Sequence, residues 1–206
     1  MAKVRRAKVR RKTKETDILV NLTIDGKGKS KIDTGIGFLD HMLELFAYHG
    51  LFDLEIKARG DLKVDIHHTN EDIGICLGQA FNKALGKRKG IRRFGERTIP
   101  MDEALANVRV VADISGRPYF NKIKSEKVYE ERDVQGGYNL EYARQFFQSV
   151  VNNFPITMHI TILEGGSDMH HLLEAIFKAT ARALDEATQI DPRIKTVPST
   201  KGRLEK

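Results

Sequence analysis

Seven histidines occur among the 206 residues, at positions 41, 49, 67, 68, 159, 170 and 171. Four of them fall in a pattern used twice, Asp65-x-His67-His68-x-x-Glu71 and Asp168-x-His170-His171-x-x-Glu174. One such pattern is a weak signal, because adjacent histidines occur by accident and a lone histidine more often packs or caps than ligates. Two copies, each opening an amphipathic helical stretch, point to metal ligation. Residues i and i+4 share a helix face, so His67 with Glu71 can grip one ion and His170 with Glu174 a second. His68 and His171 project about 100° away from their neighbours. Each is therefore expected to serve an ion held by another copy of the motif, which implies sites built between halves or between subunits. His41, after Asp40, and His159, on a strand, are candidates to complete the coordination. The expected sets are His41, His67 and Glu71 with a partner-motif His171, and His159, His170 and Glu174 with a partner-motif His68. His49, before Gly50, reads as a helix cap. With one cysteine, Cys76, there is no thiolate set for structural zinc or an iron–sulfur centre. Imidazole plus carboxylate suits Mn²⁺, Fe²⁺, Co²⁺ or Zn²⁺.

Three short segments place cations in turn-like contexts: Arg93-Phe94-Gly95, Ser115-Gly116-Arg117-Pro118 and Ser199-Thr200-Lys201-Gly202. Singly each reads as surface decoration; together Arg93, Arg117, the two hydroxyls of Ser199 and Thr200, and Lys201 can hold a phosphate through charge-assisted hydrogen bonds. Lys178 lies four residues after Glu174, on the same helix face as the expected metal site, where it can link that site to a phosphate pocket. Glu15 is the one acid in the first sixteen residues. Its plainest role is to neutralise the basic residues around it.

The elements that must position these groups repeat as well. Shifting residues 38–85 by 103 positions lays them on 141–188 without a gap, and superimposes Ile73, Ala80 and Ala84 on Ile176, Ala183 and Ala187 in addition to the two motifs. Val20–Ile24 alternates with period two and Asp25-Gly26-Lys27-Gly28 reads as a hairpin turn into a second strand, Lys29–Asp33. Phe38–Tyr48 has helical periodicity with Gly50 as its stop, Phe52–Ala58 alternates again, and Thr69–Leu85 is a helix, started by Thr69 or an upstream residue and closed near Gly86. The second half repeats this order: strands Val108–Ile114 and Tyr119–Ile123, helix Leu140–Val151, strand Ile156–Leu163 and helix His170–Thr188. A charged loop is expected over 125–139, and an irregular tail over the last fifteen residues. The predicted fold is α+β: two tandem pseudo-symmetric β-β-α-β-α halves, each a mixed sheet with helices on one face, and the helices packed between the sheets. The halves are placed at 1–90 and 91–190, followed by a tail, 191–206, that brings the Ser199/Lys201 segment.

Composition narrows the function classes. Hydrophobic content of 40% with 31% charge describes a folded chain rather than a disordered one. No apolar run reaches 18 residues and the N-terminus has no apolar core of a secretion signal, so neither a membrane span nor a leader is expected. A single cysteine fits a reducing compartment, and a cytoplasmic location is expected. The net charge of +7 is local: eight of the 35 basic residues stand in residues 1–14, which hold no acid, and the remaining 27 face all 28 acids. A basic arm can bind nucleic acid, but an almost neutral body without an aromatic-rich binding strand argues against that reading. The arm reads instead as a solvated first strand or tail.

Taken in order along the chain, the segments Arg11-Lys12-Thr13-Lys14-Glu15-Thr16, TGIGFLDHMLELFAYHGLFDL (34–54), HHTNEDIGICLGQAF (67–81), IRRFGERTIPMDEALA (91–106), DISGRPYF (113–120), HHLLEAIFKATARAL (170–184) and PSTKG (198–202) resemble the imidazoleglycerol-phosphate dehydratase family of histidine biosynthesis. The resemblance implies a hydro-lyase that converts D-erythro-imidazole glycerol phosphate to imidazole acetol phosphate with two Mn²⁺ ions per active site. It also implies a homo-oligomer of 24 subunits with active sites at subunit junctions. It assigns metal ligation to His41, His67, His68, Glu71, His159, His170, His171 and Glu174, phosphate binding to Arg93, Arg117, Lys178, Ser199 and Lys201, and acid/base work to Glu15. Val134–Leu140 and Asn152-Asn153-Phe154-Pro155 depart from the family's usual loops without touching these residues. Such a dehydration removes a proton that no carbonyl acidifies. Cations on the two ring nitrogens of the substrate would favour an imidazolate able to expel the neighbouring hydroxyl through a diazafulvene-like intermediate. A di-metal hydrolase is the rival for the same ligands; it would release phosphate from esters.

Overall fold

The basic run at the N-terminus becomes a strand. In the computed structural model, which describes residues 4–102, 104–125 and 137–204, β1 (Arg6–Lys12) runs antiparallel to β2 (Asp17–Thr23) through the tight turn 13–16. Val9 points into the core while Arg6, Lys8, Arg10 and Lys12 face outward. β1 is an edge of its sheet, a position where outward cations disfavour pairing with a further strand. Arg10 and Lys12 also pair with Asp17 across the hairpin.

The remaining elements are β3 (Ser30–Asp33), α1 (Gly37–Gly50), β4 (Asp53–Arg59), α2 (His67–Leu85), β5 (Phe94–Met101), β6 (Ala104–Asp113), β7 (Tyr119–Ser125), α3 (Leu140–Asn153), β8 (Thr157–Glu164) and α4 (Met169–Thr188). The α+β fold of two like halves is present, and each half has one further strand, β1 or β5, ahead of the expected β-β-α-β-α order. Both sheets are mixed and follow one plan, β1-β2-β4-β3 and β5-β6-β8-β7, with β3/β4 and β7/β8 parallel and the other pairs antiparallel. α1 and α3 span 37–50 and 140–153, offset by the same 103 residues as the sequence repeat. Of the expected loop 125–139, residues 126–136 lie outside the described residues.

One expected connection is different. Asp25–Gly28 does not close a hairpin, because β4 lies between β2 and β3. The turn instead wraps the start of β4: Asp53 accepts hydrogen bonds from the backbone N–H groups of Lys27 and Lys29 at 2.8 and 3.1 Å. A Cβ on Gly26 would come within 2.3 Å of the Asp53 nitrogen, so only glycine permits this approach. The stop of α1 also shifts by one residue. Gly50 stays helical, close enough to Phe52 that a Cβ there would meet the ring at 2.4 Å, and Leu51 takes the left-handed conformation, φ 56°, that closes the helix. His49 is thus not the cap. It lies in the last turn, where burial and the cations Lys178 and Arg182 push its pKa down.

Between the sheets lie four helices, α2 against β1 and β2, α4 against β5 and β6, with α1 on α4 and α3 on α2. Helices of one half therefore pack on helices of the other. The buried apolar side chains of both halves form one core, centred on rings such as Phe46, Phe81, Phe146, Phe154 and Phe177. Each sheet's apolar face is covered by helices that themselves need the other half, as a repeat unit with an uncovered face requires.

Candidate functional site

Both His-His-x-x-Glu motifs begin a helix, and the repeated aspartate starts each one. Asp65 Oδ1 accepts the His67 N–H at 2.8 Å, and Asp168 Oδ1 accepts the His170 N–H at 2.7 Å. A carboxylate at this place satisfies a backbone donor that the helix leaves free and suits the positive end of its dipole. The shared Asp of the sequence repeat is thus a helix-starting device that sets the histidines in the first turn.

Around the second motif, three donor atoms converge. His41 Nε2 lies 3.0 Å from Glu174 Oε1, and His170 Nε2 lies 3.1 Å from the same oxygen. The other oxygen of Glu174 accepts a hydrogen bond from Lys178 Nζ, which also approaches Met101 Sδ at 3.3 Å. Burial pushes the Glu174 carboxyl upward, but the bonds from Lys178, His41 and His170 outweigh it and hold its pKa at about 2. Phe38 packs edge-on against the His170 ring, with centroids 5.1 Å apart. The expected grouping of His41 with His67 and Glu71 is not what the chain forms. His41 belongs with His170 and Glu174, because α1 packs on α4 rather than on α2.

The first motif is more open. His67 Nε2 is 3.7 Å from Glu71 Oε2, the i,i+4 approach expected of a helix. His68 turns the other way, its ring at 86° to that of His67, and its Nδ1 meets Asp61 Oδ2 at 2.9 Å and Glu15 Oε2 at 3.9 Å. The hydrogen bond to Asp61, with the charge of Glu15, raises the His68 pKa. The turn 13–16 thus places Glu15 beside a candidate ligand as well as among the cations of the arm. Asp61 is the residue the sequence reasoning missed. A signal for it exists, since the 103-residue shift lays Asp61 on Glu164, an acid four residues ahead of each motif's aspartate.

His171 and His159 stand apart from both clusters. His171 Nδ1 is buried without a hydrogen-bond partner, 4.0 Å from Asp168 Oδ2. His159 lies on the outer face of β8, its ring 5.6 Å from that of Tyr119, while Met158 and Ile160 point to the helices. The sheet separates His159 from His170 and Glu174 of the same chain, so the expected grouping of these three does not form within one chain.

The phosphate candidates divide into two places. Arg93 Nη1 donates to the Pro198 carbonyl at 2.9 Å, and its Nε and Nη2 hold the Asp113 carboxylate at 2.7 and 3.2 Å. The tail continues through a turn in which Ser199 Oγ accepts the Lys201 N–H at 3.2 Å. It docks by Leu204, whose carbonyl accepts from Arg88 at 2.8 Å and lies so close to Gly116 that a Cβ there would be at 1.5 Å. Arg93, Arg117, Ser199 and Lys201 thus gather at one end of the second sheet, with Arg117 and Lys201 exposed. Lys178 is elsewhere. Arg93 bonds through its N–H to Ala187 O at 2.9 Å, thirteen residues along α4 from Glu174, about 20 Å at the helical rise.

Comparisons with known proteins bear on this arrangement. Residues 34–184 match the family described as imidazoleglycerol-phosphate dehydratase. Curated relatives carrying that name include one from Geobacter metallireducens, 54% identical over 201 residues, covering 97% of this chain and 99% of the relative. Another, from Thermoanaerobacter pseudethanolicus, is 54% identical over 204 residues, covering 98% and 100%. Among solved structures, the dehydratase of Staphylococcus aureus superposes with a TM-score of 0.76 at 38% identity, covering 89% of this chain and 98% of that one. The enzyme of Pyrococcus furiosus superposes with a TM-score of 0.78 at 38% identity, covering 95% and 100%.

Proposed function

We propose a mechanism from one premise, that the chain belongs to the imidazoleglycerol-phosphate dehydratase family. It is a hydro-lyase of histidine biosynthesis. In our reading it acts on D-erythro-imidazole glycerol phosphate, yields imidazole acetol phosphate and water, and depends on two Mn²⁺ ions per active site. The observation that carries metal dependence is the convergence of His41, His170 and Glu174 on a common point. Two imidazoles and a carboxylate suit a divalent ion of the manganese class, and the buried, unpartnered His171 Nδ1 is the kind of donor that such an ion would satisfy.

His41, His170 and Glu174 would hold one ion. His67, His68, Glu71, His159 and His171 do not converge in a single chain, so a second ion and the remaining coordination are assigned to junctions between copies. The 20 Å between Glu174 and the Arg93 end of α4 supports the same reading: phosphate candidates of one subunit would serve metal candidates of another. We therefore favour a homo-oligomer with intersubunit active sites; 24 subunits is what the family resemblance implies, and a cytoplasmic location is what the single cysteine fits.

The ions, when bound, supply Lewis-acid polarisation of the substrate's imidazole ring. The chain supplies the proton traffic and the positioning. Glu15 takes the carbon-bound proton at its carboxylate and returns one to the departing hydroxyl, so that water leaves and the atoms balance. Arg117 and Lys201, both exposed, with Ser199, hold the phosphate and orient the reacting carbons. Arg93 braces them by tying Asp113 to the tail, and can turn to the phosphate only by giving up that pair. The deciding experiment is an ultraviolet assay for the enol or keto product of imidazole glycerol phosphate with and without added Mn²⁺. Product formation that needs the metal supports the reading. Phosphate release without dehydration would instead support a di-metal hydrolase.

A further inference from the structure

Asp72 is a carboxylate in a place that does not welcome one. It stands on α2 beside Ile73 and one turn before Cys76, and is 8% exposed. A buried carboxylate costs free energy unless its oxygens are satisfied. Both are: Oδ1 accepts from Arg11 Nε at 2.7 Å, and Oδ2 accepts from Thr16 Oγ1 at 2.5 Å. Arg11 is on β1 and Thr16 ends the turn before β2, so one side chain grips both arms of the β1–β2 hairpin and joins them to the helix.

The turn between those arms carries Glu15. Thr13 Oγ1 accepts the N–H groups of Glu15 and Thr16 at 3.1 and 2.9 Å and lies 3.2 Å from Thr16 Oγ1. The backbone of Glu15 is therefore tied, through Thr13 and Thr16, to Asp72. His68 is four residues before Asp72, on the same helix face. One helical turn thus sets the relation between the histidine and the anchor of the opposing glutamate, whose Oε2 stands 3.9 Å from His68 Nδ1. The Glu15 side chain itself is largely exposed, so its place is decided by the turn beneath it.

We propose that Asp72 is a positioning residue that fixes Glu15 beside His68 by clamping the β1–β2 turn to α2. This rests on the acid/base reading of Glu15 given above. A buried ion pair is often no more stabilising than an apolar substitute; what this one supplies is geometry. Misplacement of a reacting group by about 1 Å costs on the order of 10²-fold in rate.

The test compares the Mn²⁺-saturated parent with Asp72→Asn, Glu15→Gln and the double variant. Asp72→Asn is expected to lower kcat by about 10- to 100-fold, the scale of a misplaced group, with KM and bound manganese little changed. In the Glu15→Gln background the same substitution should add no further loss, because it acts through the residue already removed. Equal losses in both backgrounds, or a change in KM or manganese content alone, would overturn the proposal. A second measurement separates it from the reading it rests on. Amide hydrogen exchange at Glu15 and Thr16 should accelerate at least about tenfold in Asp72→Asn, as expected for local opening of a released turn, while the core of α2 keeps its protection. Unchanged exchange overturns the clamp. Accelerated exchange with a fully active Glu15→Gln upholds the clamp and removes Glu15 from the chemistry. Thr16→Val, which removes one of the two bonds at nearly constant volume, should move exchange and kcat in the same direction, and serves if Asp72→Asn does not fold.

Discussion

Replacing Lys178 by Met asks what keeps the buried Glu174 carboxylate charged. Glu174 is 7% exposed, and its pKa is nevertheless held at about 2 against an ordinary 4.5. At 1.36 kcal/mol per unit, the difference corresponds to about 3 kcal/mol of stability. Because the folded pKa is the lower one, that stability is fully present above pH 4.5 and is lost as the pH falls through about 2. The Lys178 ammonium leads the contacts that lower the pKa, ahead of His41 and His170. Its removal at pH 7 should therefore cost the metal-free protein about 2 kcal/mol, a large part of the penalty for breaking a buried pair. For a chain of this length that is a fall in Tm of about 4–8 °C. A divalent ion held by His41, His170 and Glu174 would supply the lost positive charge, so saturating Mn²⁺ should recover at least about half of the fall by replacing the missing partner. Thermal denaturation of parent and Lys178→Met, with chelator and with Mn²⁺, measures both quantities. Equal losses under the two conditions would refute the claim that ion and ammonium neutralise one carboxylate. No loss in either would refute the contribution of the pair itself.

A paired glycine test addresses the packing that carries the site. A Cβ on Gly95 would lie 1.9 Å from the Ala183 carbonyl oxygen of α4, whereas one on Gly37 meets nothing within 4 Å. Gly95→Ala should cost about 3 kcal/mol or more in urea denaturation, beyond ordinary overpacking because the neighbour is backbone, while Gly37→Ala should be neutral or stabilising by up to about 1 kcal/mol; equal midpoints for the two would contradict the close approach of β5 and α4. Burial pushes the Cys76 thiol up to about 12, which leaves roughly one thiolate in 10⁴ at pH 8. Iodoacetamide should spare the native protein and label it fully in guanidinium, and native labelling at the unfolded rate would count against the burial of α2. If ions are shared between copies, as proposed above, exhaustive chelation should shrink the particle seen by light scattering, because such an ion would stabilise only the assembled form; a full-size particle free of metal would speak against shared ligation.

Much of this molecule is legible along the chain. The 103-residue repeat reappears as two sheets of one topology, and the helices α1 and α3 start and stop in step with it. The motifs land in the first turns of α2 and α4, where periodicity and the repeated aspartates put them. Such features depend on residues within a few positions of one another, and local sterics and helix period determine them. What the chain order could not decide is who meets whom across elements. β4 inserts between β2 and β3, a parallel pairing that no turn signal encodes. The extra strand β1 hid behind a charge run because an edge strand needs only one buried residue, Val9, to hold its face. α1 settles on α4, which takes His41 to the second motif and leaves His67 and Glu71 without it. The strand pleat turns His159 to the outer face of its sheet, and the length of α4 sets Lys178 apart from Arg93. Asp72, an acid on a buried helix face, signals in the sequence that a partner must exist, but only packing brings Arg11 and Thr16 to it across more than fifty residues of chain. Residue types and local spacing select the chemistry; the faces on which helices and sheets bury their apolar surface determine which of those residues share a site.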